Sequence, residues 1–269
     1  MYGEEKHKLL VGDCLEVMPQ LDTKFDACIT DPPYNISGYD NKKVIGWLKT
    51  NTFWEKEKKF KKLDEHWDKF TNEDYEKFTE KWLAKICDVV KPNGNIIIFG
   101  TYHNIYLIGS LLQKMNKKII NSIVWYKRNA FPNITHRMLC ESTEYIIWAV
   151  NNDPKNAKNW TFNYDVLKGL NYGKQMRNVW DIPLTPVKEK KYGKHPTQKP
   201  LKLIERLVLG FTKPGDYIID PFVGSGTVPV ACKLHGRFSV GIDIDENYLR
   251  IAEKRLKEIK YQKLIDVYG

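Results

Sequence analysis

The chain has no apolar run approaching the 18 or so residues that a membrane span needs. Its opening residues, MYGEEKHKLLVGD, lack the apolar core of a leader peptide, so a cytoplasmic protein with no membrane partner is expected. Cysteine is sparse: five residues (Cys14, Cys28, Cys87, Cys140, Cys232), an odd number with no C-x-x-C spacing. That pattern excludes a disulfide framework and a zinc knuckle and fits small buried hydrophobes in a reducing compartment. The six histidines form no paired ligand motif, so no metal is expected. No internal repeat is present. Acidic residues are in deficit, 33 against 43 Lys and Arg, which leaves a net charge of +10. Such an excess suits a polyanionic partner, because neutralised phosphates release condensed counterions, although a lysine-rich composition alone would look the same. Hydrophobic residues, at 42% of 269, suffice for one large domain or a core with a small accessory lobe.

What is present is an alternation. Short apolar, β-branched runs recur at Lys8–Gly12, Phe25–Thr30, Asn95–Gly100, Ile119–Tyr126, Glu144–Val150, Asp216–Asp220 and Phe238–Asp243. Several are apolar on consecutive residues, as strands covered on both faces are. Amphipathic segments at Asn72–Val90, Tyr102–Met115, Pro200–Phe211 and Asn247–Lys260 fall between them. Lys91-Pro92-Asn93-Gly94 and Lys213-Pro214-Gly215 supply turns before the next strands. The pattern predicts an α/β fold, a doubly wound, mostly parallel sheet of seven strands. Two stretches break it. Residues 35–69, with GYDNKK and EKEKKFKK, predict a long mobile charged loop. Residues 151–194, rich in Asn, Lys, Tyr and Pro, predict an irregular insertion or small lobe.

Two strings carry chemistry. Asp31-Pro32-Pro33-Tyr34 follows the run Phe25–Thr30 and so lies at the carboxyl end of a strand, the edge where open α/β sheets bind ligands. Asp31 accepts an N–H, Pro32 offers a carbonyl but no donor, the two prolines stiffen the turn, and Tyr34 provides a flat face. A stiff pair of acceptors beside an aromatic ring suits a planar substrate bearing an NH2 group. The second string, Asp220-Pro221-Phe222-Val223-Gly224-Ser225-Gly226-Thr227, again follows a strand and precedes a helix. Its glycines permit close backbone approach or positive φ. It lacks the Lys-Ser/Thr of a P-loop, and Pro229 replaces the third glycine of a dinucleotide fingerprint. Asp243 ends the next strand, where doubly wound folds hold a ribose diol; Asp245 is the better helix cap.

With these residues in view, the sequence resembles the amino-group DNA methyltransferases. Asp31–Tyr34 matches their catalytic motif, and Asp220–Thr227 resembles their cofactor loop on the methionine side. His195-Pro196-Thr197-Gln198-Lys199-Pro200 matches the string preceding that loop, and Leu10-Val11-Gly12-Asp13-Cys14 resembles the segment contacting the cofactor adenine. Catalytic motif first and cofactor loop last is the circularly permuted order of the β class. The resemblance spans nearly the whole chain, apart from the charged insertion and parts of residues 151–194.

The resemblance implies a seven-stranded S-adenosylmethionine-dependent methyltransferase fold. Residues 1–150 would form its catalytic half, 151–194 a target-recognition insertion and 195–269 the cofactor-binding half. Asp31, Pro32, Pro33 and Tyr34 would be catalytic. Asp13, Cys14, Asp31, Asp220, Pro221, Phe222, Gly224, Ser225, Gly226, Thr227 and Asp243 would line the S-adenosylmethionine site, with Thr197, Gln198 and Lys199 closing over the methionine portion. The expected reaction is direct in-line methylation of N6 of an adenine flipped out of duplex DNA. Asp31 and the Pro32 carbonyl would take the amine hydrogens, and Tyr34 would stack on the base. Lys127, Arg128 and Arg137, after a strand, are expected near DNA, as are Asn159, Lys174, Gln175 and Arg177; Asn163 and Asn171 offer further amides for base edges. A homodimer and a cognate restriction endonuclease remain open as partners. Two alternatives stand beside this reading: an N4-cytosine methyltransferase, against which Asp31 argues because cytosine-specific relatives more often carry Ser there, and a non-catalytic DNA-binding modification subunit.

Overall fold

The computed structural model describes residues 2–4, 6–35, 70–133 and 136–259. All but the first residue of the stretch 35–69 therefore lies outside the described residues. The strands are β1 (Tyr2–Glu4), β2 (His7–Val11), β3 (Phe25–Thr30), β4 (Val90–Gly100), β5 (Lys118–Tyr126), β6 (Thr143–Val150), β7 (Val179–Asp181), β8 (Tyr217–Asp220) and β9 (Phe238–Asp243). They form one sheet in the order β1-β2-β9-β8-β3-β4-β6-β5-β7. The seven expected strands are all present, but the sheet has nine, not seven. β1 and β7 extend its two edges, and at three residues each they are too short to show any period.

The pairings are parallel except where β1 meets β2 and where β6 meets β4 and β5. The turn expected at Lys91–Gly94 lies inside β4. There the register slips between Phe25↔Val90 and Ala27↔Asn95, and Asn93 takes φ 62, so the extra residues bulge out without ending the strand.

Successive residues of the central strands point to opposite faces, and each face is covered. Cys28, Ile96 and Ile98 pack with Trp82, Leu83 and Ile86 of helix Asn72–Val89 and with Ile108 and Leu112 of helix Ile105–Lys114. Ala27, Ile29, Ile97 and Phe99 pack with Leu203, Leu207 and Phe211 of helix Leu201–Phe211 and with Ala231 and Cys232 of helix Thr227–Leu234. A third cluster joins Leu9 and Val230 to Leu249 and Leu256 of helix Glu246–Glu258. Thr71 caps helix Asn72–Val89, its hydroxyl oxygen accepting from the Asp74 amide at 3.1 Å. Among the described residues no helix is long and apolar enough to cross a membrane.

Residues 151–194 do not stand apart as an irregular lobe. They contain helix Tyr164–Leu170 and strand β7, and Leu167, Trp180 and Ile182 are buried in the second core cluster. Buried Asn95 ties this stretch down: its Nδ2 donates to the carbonyls of Thr161 at 2.8 Å and Phe211 at 2.7 Å, while its Oδ1 accepts from Trp148 Nε1 at 2.8 Å. Asn163 does the same for helix Leu201–Phe211, donating to the Leu209 and Thr212 carbonyls at 2.7 and 2.8 Å. Its amide is thereby spent on the scaffold and is not free for a base edge.

Candidate active site

β3, β8 and β9 end side by side, and the turns leaving them surround a cavity of about 310 Å3. Asp13, Cys14, Asp31, Pro32, Pro33, Tyr34, Thr197, Gln198, Lys199, Asp220, Pro221, Phe222, Gly224, Ser225, Thr227 and Asp243 all line it. Residues far apart in sequence thus meet in one place, as their common position after strands requires. Phe70, Phe78, Phe99, Ile244 and Tyr248 also face the cavity, and the sequence pattern singled out none of them. Phe222 and Phe78 meet edge to face with ring centroids 6.1 Å apart, and Phe78 stacks on Phe70 at 5.0 Å, giving one end of the cavity an aromatic wall.

The glycine turn is built from backbone bonds to carboxylates. Asp243 Oδ2 accepts from the Gly224 amide at 2.8 Å and its Oδ1 from the Asp245 amide at 2.9 Å. Asp245, not Asp243, caps the following helix. Asp220 Oδ1 accepts from Thr30 Oγ1 at 2.8 Å and from the Phe222 amide at 3.2 Å. Burial pushes the carboxyl of Asp220 up to about 7 and that of Asp243 up to about 6. Among the described residues neither forms an ion pair, so the cavity holds two carboxylates suited to a ligand bearing positive charge.

Gly224, at φ 48, leaves room where a Cβ would come 3.0 Å from His195 Nε2. Gly226 has a different task from the one expected. At φ 78 it caps helix Thr227–Leu234, and a Cβ there would lie 2.5 Å from that of Ala252, so its missing side chain serves helix packing; it does not line the cavity. Buried Arg255 braces the same turn, donating to the Ser225 carbonyl at 2.7 Å and Thr227 Oγ1 at 3.0 Å.

The strap His195–Pro200 is locked to this turn. Ser225 Oγ donates to Gln198 Oε1 at 3.1 Å, and Thr227 Oγ1 donates to the Lys199 carbonyl at 3.3 Å. Gln198 is thereby a buried brace. His195 is half-buried, and desolvation of its ring pushes its pKa down to about 4, leaving it neutral at neutral pH.

Lys199 departs furthest from expectation. Its ammonium sits on the catalytic motif, with Nζ 2.5 Å from Asp31 Oδ2 and 3.4 Å from Glu144 Oε2. The Tyr34 hydroxyl donates to Asp31 Oδ1 and, at 3.4 Å, to Glu144 Oε2. Lys127 closes the cluster, its Nζ 3.3 Å from Glu144 Oε1. Lys127, expected near DNA, is buried behind the catalytic motif and committed to Glu144. Burial pushes Asp31 above the ordinary carboxylate range, against the pull of Lys199. On Lys199 burial acts downward, but Asp31 and Glu144 together outweigh it and hold the ammonium above its ordinary value. Tyr34 is driven far up by burial and the neighbouring carboxylates, so it stays a neutral donor. Tyr75 Oη donates to the Pro33 carbonyl at 2.7 Å, one residue beyond the carbonyl assigned to the amine.

Glu144 carries no sequence signal, being one acid near the start of a strand. The antiparallel course of β6 brings that start, paired as Gly100↔Tyr145, to the edge where the parallel strands end. The other expected DNA residues are elsewhere. Arg128 pairs with Asp181 at 2.8 Å, while Arg137, Asn159, Lys174, Gln175 and Arg177 are exposed and away from the cavity. Asn171 folds back on the carbonyls of Lys174 and Gln175.

The family model described as DNA methylase matches residues 25–254. The Type II methyltransferase M2.DpnII of Streptococcus pneumoniae is 42% identical over 262 residues, covering 95% of this chain and 91% of that protein. M2.LlaDCHI of Lactococcus lactis subsp. cremoris, also a Type II methyltransferase, is 40% identical over 261 residues, covering 96% and 92%. The crystal structure of the M1.HpyAVI–SAM complex superposes with a TM-score of 0.64 at 28% identity, covering 93% of this chain and 98% of that one. The chain belongs to the DNA methylase family.

Proposed function

We propose that this methyltransferase transfers its methyl group to N6 of adenine within a specific duplex sequence, and that its motif order makes it a member of the permuted β class. One observation carries the reading: Asp31 and Tyr34 share a cavity with Asp220, the glycine turn and Asp243. An amine acceptor and a cofactor cradle thus line one cavity. S-adenosylmethionine, the methyl donor of the family, supplies an electrophilic sulfonium methyl when bound. The fit of the residues is chemical. Asp220 is a buried carboxylate and Asp243 a half-buried one, neither with an ion pair among the described residues; Asp243 keeps lone pairs for a ribose diol, and the aromatic wall of Phe70, Phe78 and Phe222 accepts a purine.

The amine of adenine is conjugated with its ring and attacks poorly. Asp31, accepting one of its hydrogens, and the Pro32 carbonyl, accepting the other, favour a nitrogen whose lone pair is directed at the methyl. The negative charge of Asp31 also stabilises the positive charge that develops on that nitrogen. Catalysis then rests on positioning and on fixed electrostatics, with no covalent enzyme intermediate. We assign target recognition to the exposed side chains of residues 151–194, with Arg177 and Gln175 as base readers and Lys174 as a phosphate contact.

The test is to methylate DNA with purified protein, digest it to nucleosides and separate them by mass. N6-methyl-2′-deoxyadenosine is the expected product. N4-methylcytosine would replace the reading with its cytosine alternative, and no methylated base at all would leave a DNA-binding subunit.

A further inference from the structure

Both carboxylate oxygens of Asp31 are already occupied without substrate. Oδ2 holds the Lys199 ammonium at 2.5 Å, and Oδ1 holds the Tyr34 hydroxyl. An incoming amino group competes with these two donors for the carboxylate, and the ammonium, carried on a flexible stem, is the one that can move aside. The geometry also shows where the displaced group can go. Lys199 Nζ is already 3.4 Å from Glu144 Oε2, so a shift of about an ångström would bring it to full hydrogen-bonding distance. The aromatic faces of Tyr34 and Phe99, with centroids 5.2 and 5.4 Å from Nζ, flank the ammonium in both positions. Glu144 is held ready by Lys127 from the end of β5.

Accepting the assignment of Asp31 to the target amine, we propose that Lys199 is its positioning residue: it occupies the place of the amino group until the base arrives and then passes to Glu144. Two carboxylates and two ammoniums make up the cluster in both arrangements, so the hand-over leaves its total charge unchanged. It also keeps Asp31 ionised and aimed while the cavity is empty. The strap that carries Lys199 is pinned to the glycine turn through Gln198 and Thr227, so the ammonium moves on its own flexible stem while its backbone stays fixed.

The charged and titratable groups facing Asp31 are Lys199 from the strap, Tyr34 from its own turn, Glu144 from β6 with Lys127 behind it, and Asp220 from β8. Lys199 favours the ionised form of Asp31, and Glu144 opposes it. Substitutions at the two positions should therefore move the acid limb of the pH–rate profile in opposite directions. Single-turnover methyl transfer on a duplex containing the target would be followed from about pH 5 to 9. Lys199→Met is expected to move the acid limb up by about one unit or more, with at least tenfold loss at pH 7 that recovers toward pH 9. Glu144→Gln is expected to move it down, and Lys199→Arg to leave it near that of the parent. Affinity for S-adenosylmethionine, by calorimetry, should stay within about threefold in all three.

If Lys199→Met instead loses cofactor affinity with an unmoved limb, Lys199 serves the methionine portion and the inference fails. It also fails if the two limbs move the same way or not at all. Should Lys199→Met not fold, as judged by thermal melting, the downward shift in Glu144→Gln decides alone. Asp31→Asn separates the two levels. If that variant is fully active, the assignment of Asp31 itself is overturned; if it is inactive while the limbs do not diverge, only the role of Lys199 is.

Discussion

At the glycine-turn end of the cavity, Asp220 and Asp243 take their hydrogen bonds from the fold: backbone amides of Phe222, Gly224 and Asp245 and the hydroxyl of Thr30. At the other end, Asp31 and Glu144 are satisfied, among the described residues, by the side chains of Lys199, Lys127 and Tyr34. Backbone donors cannot leave when a ligand arrives, so the first end is a preformed cradle. Side-chain donors on flexible stems can leave, so the second end can exchange partners. A reaction that binds one substrate in a fixed pose and draws the other out of a base stack needs one end of each kind.

Removing the acceptor at the exchangeable end should have the largest effect. Asp31→Ala is expected to reduce methyl transfer by about a thousandfold or more, the scale of losing a charge aimed at the transition state, while calorimetry finds cofactor binding largely retained. At the preformed end, Asp243→Ala should weaken S-adenosylmethionine binding by about 1.5–3 kcal/mol, through loss of a charged acceptor for buried hydroxyls. Its affinity for DNA, read by gel shift, should change little. Equal cofactor affinity in mutant and parent would reduce Asp243 to a brace for the Gly224 turn.

The preformed end also has a cost that can be measured without ligand. The carboxyl of Asp220 stands at about 7 in the fold against 3.8 ordinarily, so the folded protein binds this proton more tightly than the unfolded chain does. Its ionisation therefore lowers stability as pH rises from about 4 to about 7; above about 7 the loss is complete and constant, and below about 4 the group contributes nothing. Asp220→Asn keeps an oxygen for Thr30 and Phe222 and removes the charge. It should stabilise the ligand-free protein by about 1–3 kcal/mol at pH 8, with the gain fading toward pH 4. An equal melting shift at both pH values would show that packing, not charge, is responsible. The smallest effect belongs to the surface outside both ends. Lys174→Ala should weaken binding to all DNA sequences a few-fold and reduce the salt slope by about one. A loss confined to one target sequence would make it a base reader.

Much of this contrast was legible from the chain. The seven principal strands announce themselves because residues buried on both faces must be apolar in succession, as Ile96, Ile97 and Ile98 are. Asp31–Tyr34 and Asp220–Thr227 were readable because stiff prolines and permissive glycines are rare together at strand ends. β1 and β7 were not, since three residues show no alternation. Glu144 was missed, and Lys127 was placed near DNA without its pairing to Glu144, for a different reason. Single charged residues beside a strand look like solvated surface until an antiparallel partner turns them inward. Gly226 was read as a ligand glycine because sequence cannot tell a glycine facing a cavity from one facing Ala252. The role of Lys199 was hidden because the motif fixes its place in the strap, while the reach of its side chain follows only from the fold.

Asn35 Oδ1 accepts from the Phe70 amide at 2.9 Å, so the chain leaves the catalytic turn and returns to it through a single closed neck. On one side of that neck stand Asp31 to Asn35, and on the other Thr71, which caps helix Asn72–Val89. The position is thus a port in the engineering sense: a stretch of twice the length would add only about 0.6 kcal/mol of closure entropy.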